Sequence, residues 1–531
     1  MRNLIPHYIL DRYLSGNNRG RLPAVGMFVD ISGFSQITDQ LMEQGQHGAE
    51  ILADVMRNIF TPLVQITYEQ GGFISTLAGD AFTAIYPIED NDEIVCLHAL
   101  SAAWQIQKKL ESLAKQTTPY GEFLVSGRIG IAKGEAAWGV VNSQDQRRAA
   151  YYIEGTAVEE SALSEGKASS GQIIADANFR DAIGGHADFS PQEDYFMVSS
   201  LTVDPLPPLP VDLNIQDSEM AYRFFPRSLF HQVHSGEFRQ VVTMFINLPT
   251  VRTEDQLAIF MSTLFELQDK FGGLLTRLDF GDKGSNLLMF WGAPVSFEND
   301  IERALNLILE LQTQTSIPIN AGVTYRIAHA GFIGSPLREE YTAYGRGVNL
   351  AARFMSTALR GEIWVDEEIA RRASSRFEIE PDGEYSFKGF SRKQKVYLLE
   401  ERKEEVERTY QTELVGRQSE LEALANFIGP ISEVKYCGAM MVLGDPGIGK
   451  TRLVDEFSNQ VESDIHWSIC QCDQAIRDSF NPFRYWLRNY FSISTYQNEA
   501  RNKRNFNRKM DQLITSIGDK KLAAELDRTR S

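Results

Sequence analysis

The sequence predicts an α+β protein made of two copies of one domain, followed by the start of a separate α/β unit, and three observations carry that prediction. Apolar runs of strand length alternate with longer stretches of helical spacing. The same succession of segments then occurs twice. VGMFVDISG at 25–33 returns as VTMFINLPT at 242–250, and GGFISTLAGDAFTAIYP from Gly71 returns as GGLLTRLDFGDKGSNLLMFWGAP from Gly272. RIGIAKGEAAWG from Arg128 and YYIEGTAVEESAL from Tyr151 return as INAGVTYRIAHAGFIG from Ile319 and YTAYGRGVNLAARF from Tyr341. The offset drifts from 217 (Asn247 against Asp30) through 205 (Ser285 against Asp80) to 190 (Gly345 against Gly155), which marks two copies with unequal loops. The third observation is GDPGIGKT at 444–451, set between AMMVL, which reads as an apolar strand, and the helical RLVDEF.

In chain order, residues 1–21 read as a helical lead-in, with Ile5, Tyr8, Ile9 and Tyr13 on one face. The first domain spans 22–198. Its apolar run ends on Asp30, and a helix with Ile51, Leu52, Val55, Ile59, Leu63 and Ile66 at helical spacing stops at Gly71. A hairpin carrying Asp80, a helix near Glu93 to Leu113 and the strand VSGRIGIAKG follow. Strand, helix, hairpin, helix, strand is the ferredoxin-like split order. Residues 199–238, Pro-rich with PLPPLPVDL, read as a linker, and 239–400 as the second domain in the same order. The charged ERKEEVERTYQT at 401–412 is a second linker, and 413–531 is the third unit, read as incomplete.

Composition narrows the class. With 71 acids against 53 bases the net charge is −18, which argues against nucleic acid as a bulk partner. No run of about 18 apolar residues offers a membrane span, and MRNLIPHYILDRYLSG lacks a signal-peptide core, so a cytoplasmic protein is expected. Cys96, Cys437, Cys470 and Cys472 are too scattered for a disulfide scaffold or a four-ligand zinc site.

The chemistry-bearing positions differ between the copies in a complementary way. A carboxylate at the tip of a buried strand demands a cation, so Asp30 and Asp80 read as ligands of one divalent ion. The second copy has Asn247 and Ser285 there, whereas its Asn349 and Arg353 face Glu159 and Leu163 of the first. One composite site built across the pair explains both losses. In the third unit GDPGIGKT fits the Walker A pattern. Gly444, Gly447 and Gly449 let backbone amides close round phosphates, Lys450 reaches the outer phosphates and Thr451 can hold magnesium. Only 80 residues (531 − 451) follow Thr451, with no apolar strand ending in an acid, so hydrolysis by this unit is not expected.

FVDISGF, LAGDAF and EYTAYGRGVNLAARFM resemble the class III nucleotidyl cyclases, and the tandem order followed by a unit opening on LVGRQSELEAL resembles their soluble, bicarbonate-sensitive branch. The resemblance implies two cyclase domains forming an intramolecular pseudo-dimer, followed by a P-loop NTPase domain of the STAND type. It also implies an adenylyl cyclase making 3′,5′-cyclic AMP and pyrophosphate from ATP, with a further ATP on the P-loop. On this basis Asp30, Asp80 and the backbone oxygen of Ile31 would hold two Mg²⁺ ions for two-metal catalysis, with Mn²⁺ or Ca²⁺ as substitutes. Ser32, Gly33 and Phe34 would offer amides to the triphosphate, and Arg128 would neutralise it. Arg353 would stabilise the α-phosphoryl group, Asn349 would orient the ribose, and Arg277 and Thr342 would read the purine.

Two departures stand out. Arg277 occupies the family's purine-reading lysine position, and Thr76 and Ala162 stand where the bicarbonate-binding cations would be. An idle nucleotide-binding sensor and a guanylyl cyclase remain the alternatives, and a regulatory protein partner stays open.

Overall fold

The computed structural model describes residues 2–42, 44–211, 219–231, 236–248, 253–281, 284–315, 317–390, 392–403, 416–433, 435–444, 448–461 and 499–528, with isolated residues between 465 and 491. The chain divides into two compact units, Met1–Lys403 and Glu404–Ser531.

The larger unit opens with α1 (His7–Leu14), β1 (Arg19–Ser32), α2 (Phe34–Met42) and α3 (Gly45–Glu69). The hairpin β2 (Phe73–Ala78) and β3 (Ala81–Pro87), α4 (Asp92–Ser112) and a small ribbon, β4 (Lys115–Thr118) with β5 (Gly121–Leu124), follow. Then come β6 (Ser126–Asn142), β7 (Ala149–Glu154), α5 (Thr156–Gly166), β8 (Ile173–Ala175), α6 (Ala177–Ile183), β9 (Ala187–Gln192) and β10 (Tyr195–Leu201). After α7 (Arg227–Phe230) the second series is β11 (Gly236–Asn247), α8 (Glu254–Phe271), β12 (Leu274–Gly281), β13 (Gly284–Trp291) and α9 (Asp300–Gln314). It continues with β14 (Asn320–Ser335), β15 (Arg338–Tyr344), α10 (Arg346–Thr357), β16 (Ile363–Asp366), α11 (Glu367–Ala373), β17 (Phe377–Tyr385) and β18 (Gln394–Arg402).

Two eight-stranded sheets result, ordered β2-β3-β1-β6-β8-β10-β9 and β12-β13-β11-β14-β16-β18-β17, with β7 on β6 and β15 on β14. The likeness reaches single hydrogen bonds. Each first hairpin strand bulges, at Ser75 and at Thr276, and each bulged hydroxyl donates to the carbonyl across the hairpin, on Thr83 (3.1 Å) and Leu288 (3.2 Å). Asp176 and Asp366 cap α6 and α11 through the amides of Phe179 (2.9 Å) and Ile369 (3.1 Å). Gly130 and Gly322 let the central strands approach α5 and α10: a Cβ on either would lie 2.0 or 2.1 Å from the carbonyl of Ser161 or Ala351.

The sheets pack reciprocally. α3 of the first series lies on β14, α8 of the second lies on β6, β7 faces β12, and β15 faces β2. Side chains of both series form one continuous hydrophobic core. The segment expected to be a plain linker differs from that reading. Ala221, Phe224, Phe225, Leu229 and Phe230 are buried, and Phe224 packs on Tyr13 and Tyr151, because aromatic anchors inside an otherwise irregular stretch find the same core.

The second unit contains α12 (Gln418–Ile428), α13 (Lys450–Gln460), α14 (Glu499–Ser516) and α15 (Lys520–Arg528), with Leu421, Leu453 and Phe457 forming its small core. AMMVL, expected as a strand, is irregular, with Met441 and Leu443 exposed, since a strand needs a neighbour and the described residues of this unit contain none. Residues 404–412 of the expected charged linker lie outside the described residues. Among the described residues no helix is long and apolar enough to cross a membrane.

At the seam His329 of β14 is fully buried, its Nε2–H donating to the Ala49 carbonyl of α3 (3.2 Å) and its ring against Tyr344 and Phe238. Burial lowers its pKa to about 4 from 6.5. A base held neutral in the fold contributes stability that is full above its unfolded pKa and is lost as pH falls from 6.5 towards 4, here roughly 3 kcal/mol. Chemical denaturation across that window should therefore show a shallower acid-side loss for His329→Gln than for the wild type; equal slopes would remove His329 as a source.

Candidate active site

Asp30 sits at the end of β1, paired with Ala81 of β3 on one side and Arg128 of β6 on the other. Asp80 occupies the two-residue turn before β3, where Gly79 adopts φ +69°, and the Ile31 amide donates to the Asp80 carbonyl (2.9 Å). Strand pairing thus brings two carboxylates and the Ile31 backbone to one strand end. Burial, followed by the Asp30 charge, pushes the Asp80 carboxyl up to about 6. A buried carboxyl pushed towards protonation beside a second carboxylate fits a divalent cation, which would satisfy both. The Arg128 guanidinium donates to Asp30 and pairs with Glu165 of α5 at 2.9 Å. Glu165 was not singled out from the sequence, because nothing in its local pattern marks a helix residue that meets a strand 37 positions earlier.

Gly33 turns the chain at φ +109° from β1 into α2, and a Cβ there would lie 2.3 Å from the Leu124 carbonyl. This places the backbone of Ser32, Gly33 and Phe34 at a helix N-terminus beside the carboxylates, while the Phe34 ring is buried against Phe60. The second sheet repeats the scaffold without the acids. Asn247 pairs with Asn286 and Asn320, and the Leu248 amide donates to the Ser285 carbonyl (2.8 Å) as Ile31 does to Asp80.

Asn349 and Arg353 lie on α10, which starts after Gly345 (φ +145°). With Arg346 they are spaced i, i+3, i+7 and share one face. Arg346 Nε meets Asp39 Oδ2 of α2 at 2.8 Å, so this face opens towards the first sheet's α2. Asn349 is exposed, Arg353 is half-buried, and among the described residues neither side chain makes a hydrogen bond or ion pair. The spacing shared with Arg346 was visible in the sequence, but the Asp39 partner was not.

Arg277 follows the β12 bulge and occupies the register position of Thr76 in β2. It lines a cavity of about 30 Å³ with Thr76, Tyr151, Phe224 and Glu340, and its buried Nε has no hydrogen-bond partner among the described residues. Thr342 is buried two residues beyond Glu340 on β15. Ala162, half-buried on α5, is not among the residues lining the cavity. In the second unit Gly449 (φ +95°) precedes α13, Thr451 lies in its first turn, and Lys450 Nζ donates to the Gly444 carbonyl (2.9 Å). Gly447 lies outside the described residues.

Residues 297–401 match the adenylate and guanylate cyclase catalytic domain, and residues 413–526 match the AAA ATPase domain. The chain is similar to adenylate cyclase type 10 of Mus musculus, 21% identical over 92% of this chain and 34% of that protein. It is also similar to the Homo sapiens protein of the same name, 23% identical over 62% of this chain and 23% of that one. The chain therefore spans about a third or less of the length of these relatives. Among solved structures it is similar to a class III adenylyl cyclase-like ATP-binding protein from Pseudomonas aeruginosa at 12% identity, covering 66% of this chain and 85% of that one with a TM-score of 0.46. The adenylyl cyclase CyaB from P. aeruginosa is 21% identical over 32% of this chain and 97% of that one, with a TM-score of 0.29. The chain thus carries a class III cyclase domain followed by an AAA ATPase domain and is homologous to adenylate cyclase type 10.

Proposed function

We propose that this protein is an adenylyl cyclase that converts ATP to 3′,5′-cyclic AMP and pyrophosphate at one composite site between its two sheets. The observation that carries the reading is positional. Asp30 and Asp80 occupy the same hydrogen-bonded positions as Asn247 and Ser285, while Asn349 and Arg353 occupy those of Glu159 and Leu163, so each sheet keeps the half the other lacks. In this account 22–198 and 239–400 are tandem cyclase domains, joined by 199–238 and preceded by 1–21. Residues 413–531 form the P-loop domain after the 401–412 linker and hold a second ATP.

Asp30, Asp80 and the Ile31 carbonyl would hold Mg²⁺, with Mn²⁺ or Ca²⁺ as substitutes. Bound there, divalent ions supply Lewis acidity that lowers the pKa of the ribose 3′-hydroxyl and neutralise the triphosphate. Arg128, which pairs with Asp30, would turn its charge to the phosphates, and the Ser32, Gly33 and Phe34 amides would offer a helix N-terminus to the outer phosphates. Asn349 orients the ribose. Arg353 stabilises charge on the α-phosphoryl group as the 3′-oxygen attacks and pyrophosphate leaves.

Purine choice falls to Arg277 and Thr342. A guanidinium only donates, so it suits the adenine N1 acceptor and not the N1–H of guanine, while the Thr342 hydroxyl can accept from the adenine amine.

Product analysis with ATP or GTP and Mg²⁺ or Mn²⁺ tests the reading. Cyclic AMP should form from ATP, vanish in Asp30→Ala and fall about 10²-fold or more in Arg353→Ala. Predominant cyclic GMP would make the chain a guanylyl cyclase. ATP binding without either product would support the idle sensor, the reading that Arg277 favours. Bicarbonate titrated at fixed pH should leave turnover unchanged, because Thr76 and Ala162 supply no cation. A saturable rise would contradict that.

A further inference from the structure

The turn that bears Asp80 is fastened from the other copy. Leu77, three residues before Asp80 on β2, donates its amide to Glu340 Oε2 of β15 at 3.0 Å. Tyr151 of β7 donates its hydroxyl to the carbonyl of Ser75, the β2 bulge, at 3.4 Å. Arg338, fully buried, joins the two: its guanidinium donates to the Tyr151 hydroxyl at 2.8 Å and pairs with Glu340 at 3.3 Å. The network therefore reaches β2 at two points, both just ahead of the carboxylate turn.

Among the described residues the opposite side of the seam shows no matching fastening. By strand register Glu340 (opposite Ile333 of β14) corresponds to Ala150 (opposite Val141 of β6), which has no side-chain oxygen to offer β12. The hairpin that β12 begins ends in Ser285 instead of an acid. A buried ion pair contributes little net stability compared with apolar residues of the same volume, so stability alone is a poor reason for this one. Its placement follows the carboxylates: the tether exists only where a cation would sit. Glu340 also lies two residues from Thr342 on the same face of β15 and lines the cavity shared with Arg277.

We propose that Glu340, held by Arg338, is a positioning residue that fixes the Asp80 turn relative to the purine-facing wall, so that cation affinity and nucleotide placement are set together across the seam. The proposal rests on the composite-site reading. Glu340 touches neither metal nor reacting atoms; it acts through the Leu77 amide.

The test uses the full chain and an Arg338→Met/Glu340→Leu double variant, in which apolar residues replace the pair and the buried charges go together, so folding is preserved. Three quantities are read: exchange of the Leu77 amide, Mn²⁺ affinity by calorimetry, and kcat and KM for ATP. The double variant should lose Leu77 protection, bind Mn²⁺ about 10- to 100-fold more weakly, and show a raised KM together with a lowered kcat. Arg338→Met/Glu340→Gln, which also removes both charges but keeps an oxygen within reach of Leu77, should retain most of the affinity. An Arg338→Met/Glu340→Leu chain that binds Mn²⁺ as tightly as the wild type overturns the positioning role alone. A wild-type chain that binds no Mn²⁺ overturns the composite site itself. A chain that binds Mn²⁺ with the expected variant pattern but forms no cyclic product overturns the cyclase reading and leaves the tether standing.

Discussion

A carboxylate brought to the end of a buried strand has to be compensated, and in this chain Arg128 does so for Asp30 from the neighbouring strand. The arrangement is strained in a useful direction. Asp80 is pushed towards protonation by burial and by the same Asp30, so a single guanidinium, itself shared with Glu165, leaves two carboxylates short of positive charge. In the proposed reading that deficit suits the strand end to a cation, and Arg128 would stand beside the path of an incoming polyphosphate.

Everything else at the site is arranged around that strand end by duplication. A second sheet of the same order, with the same bulge, caps and close glycine contacts, brings α10 to the first sheet's α2 through Arg346 and Asp39. Because side chains of both sheets join one hydrophobic core, with α3 under β14 and α8 under β6, the two halves of the proposed site would be held by packing within one chain. On that reading each half could lose what the other kept without loss of the whole.

Much of this was legible in the sequence for a physical reason. An acid closing an apolar run, as at Asp30, is anomalous by itself, and a repeat turns every polar mismatch into information. Element order followed from periodicity, and α4 and α1 lie where the apolar spacing put them. What stayed hidden were partners set by long-range pairing. Glu165, Asp39 and the Arg338, Glu340 and Tyr151 network carry no local signal, since a buried arginine that reaches a tyrosine hydroxyl 187 positions away looks, in sequence, like ordinary surface charge. The linker's aromatics were masked by PLPPLP, and AMMVL was read as a strand on composition although a strand depends on its neighbours. Thr76 and Arg277 occupy the same register position in the two hairpins, each just past a bulge.

The most direct measurement is a crystal structure of a Lys450→Ala chain, with its P-loop silenced, bound to Mn²⁺ and a non-cyclisable ATP analogue. The account predicts one nucleotide in the seam, metal density on Asp30, Asp80 and the Ile31 carbonyl, the α-phosphate at Arg353 and the purine between Arg277 and Thr342. Metal or nucleotide at the Asn247 and Ser285 end, or no nucleotide in the seam at all, would contradict it.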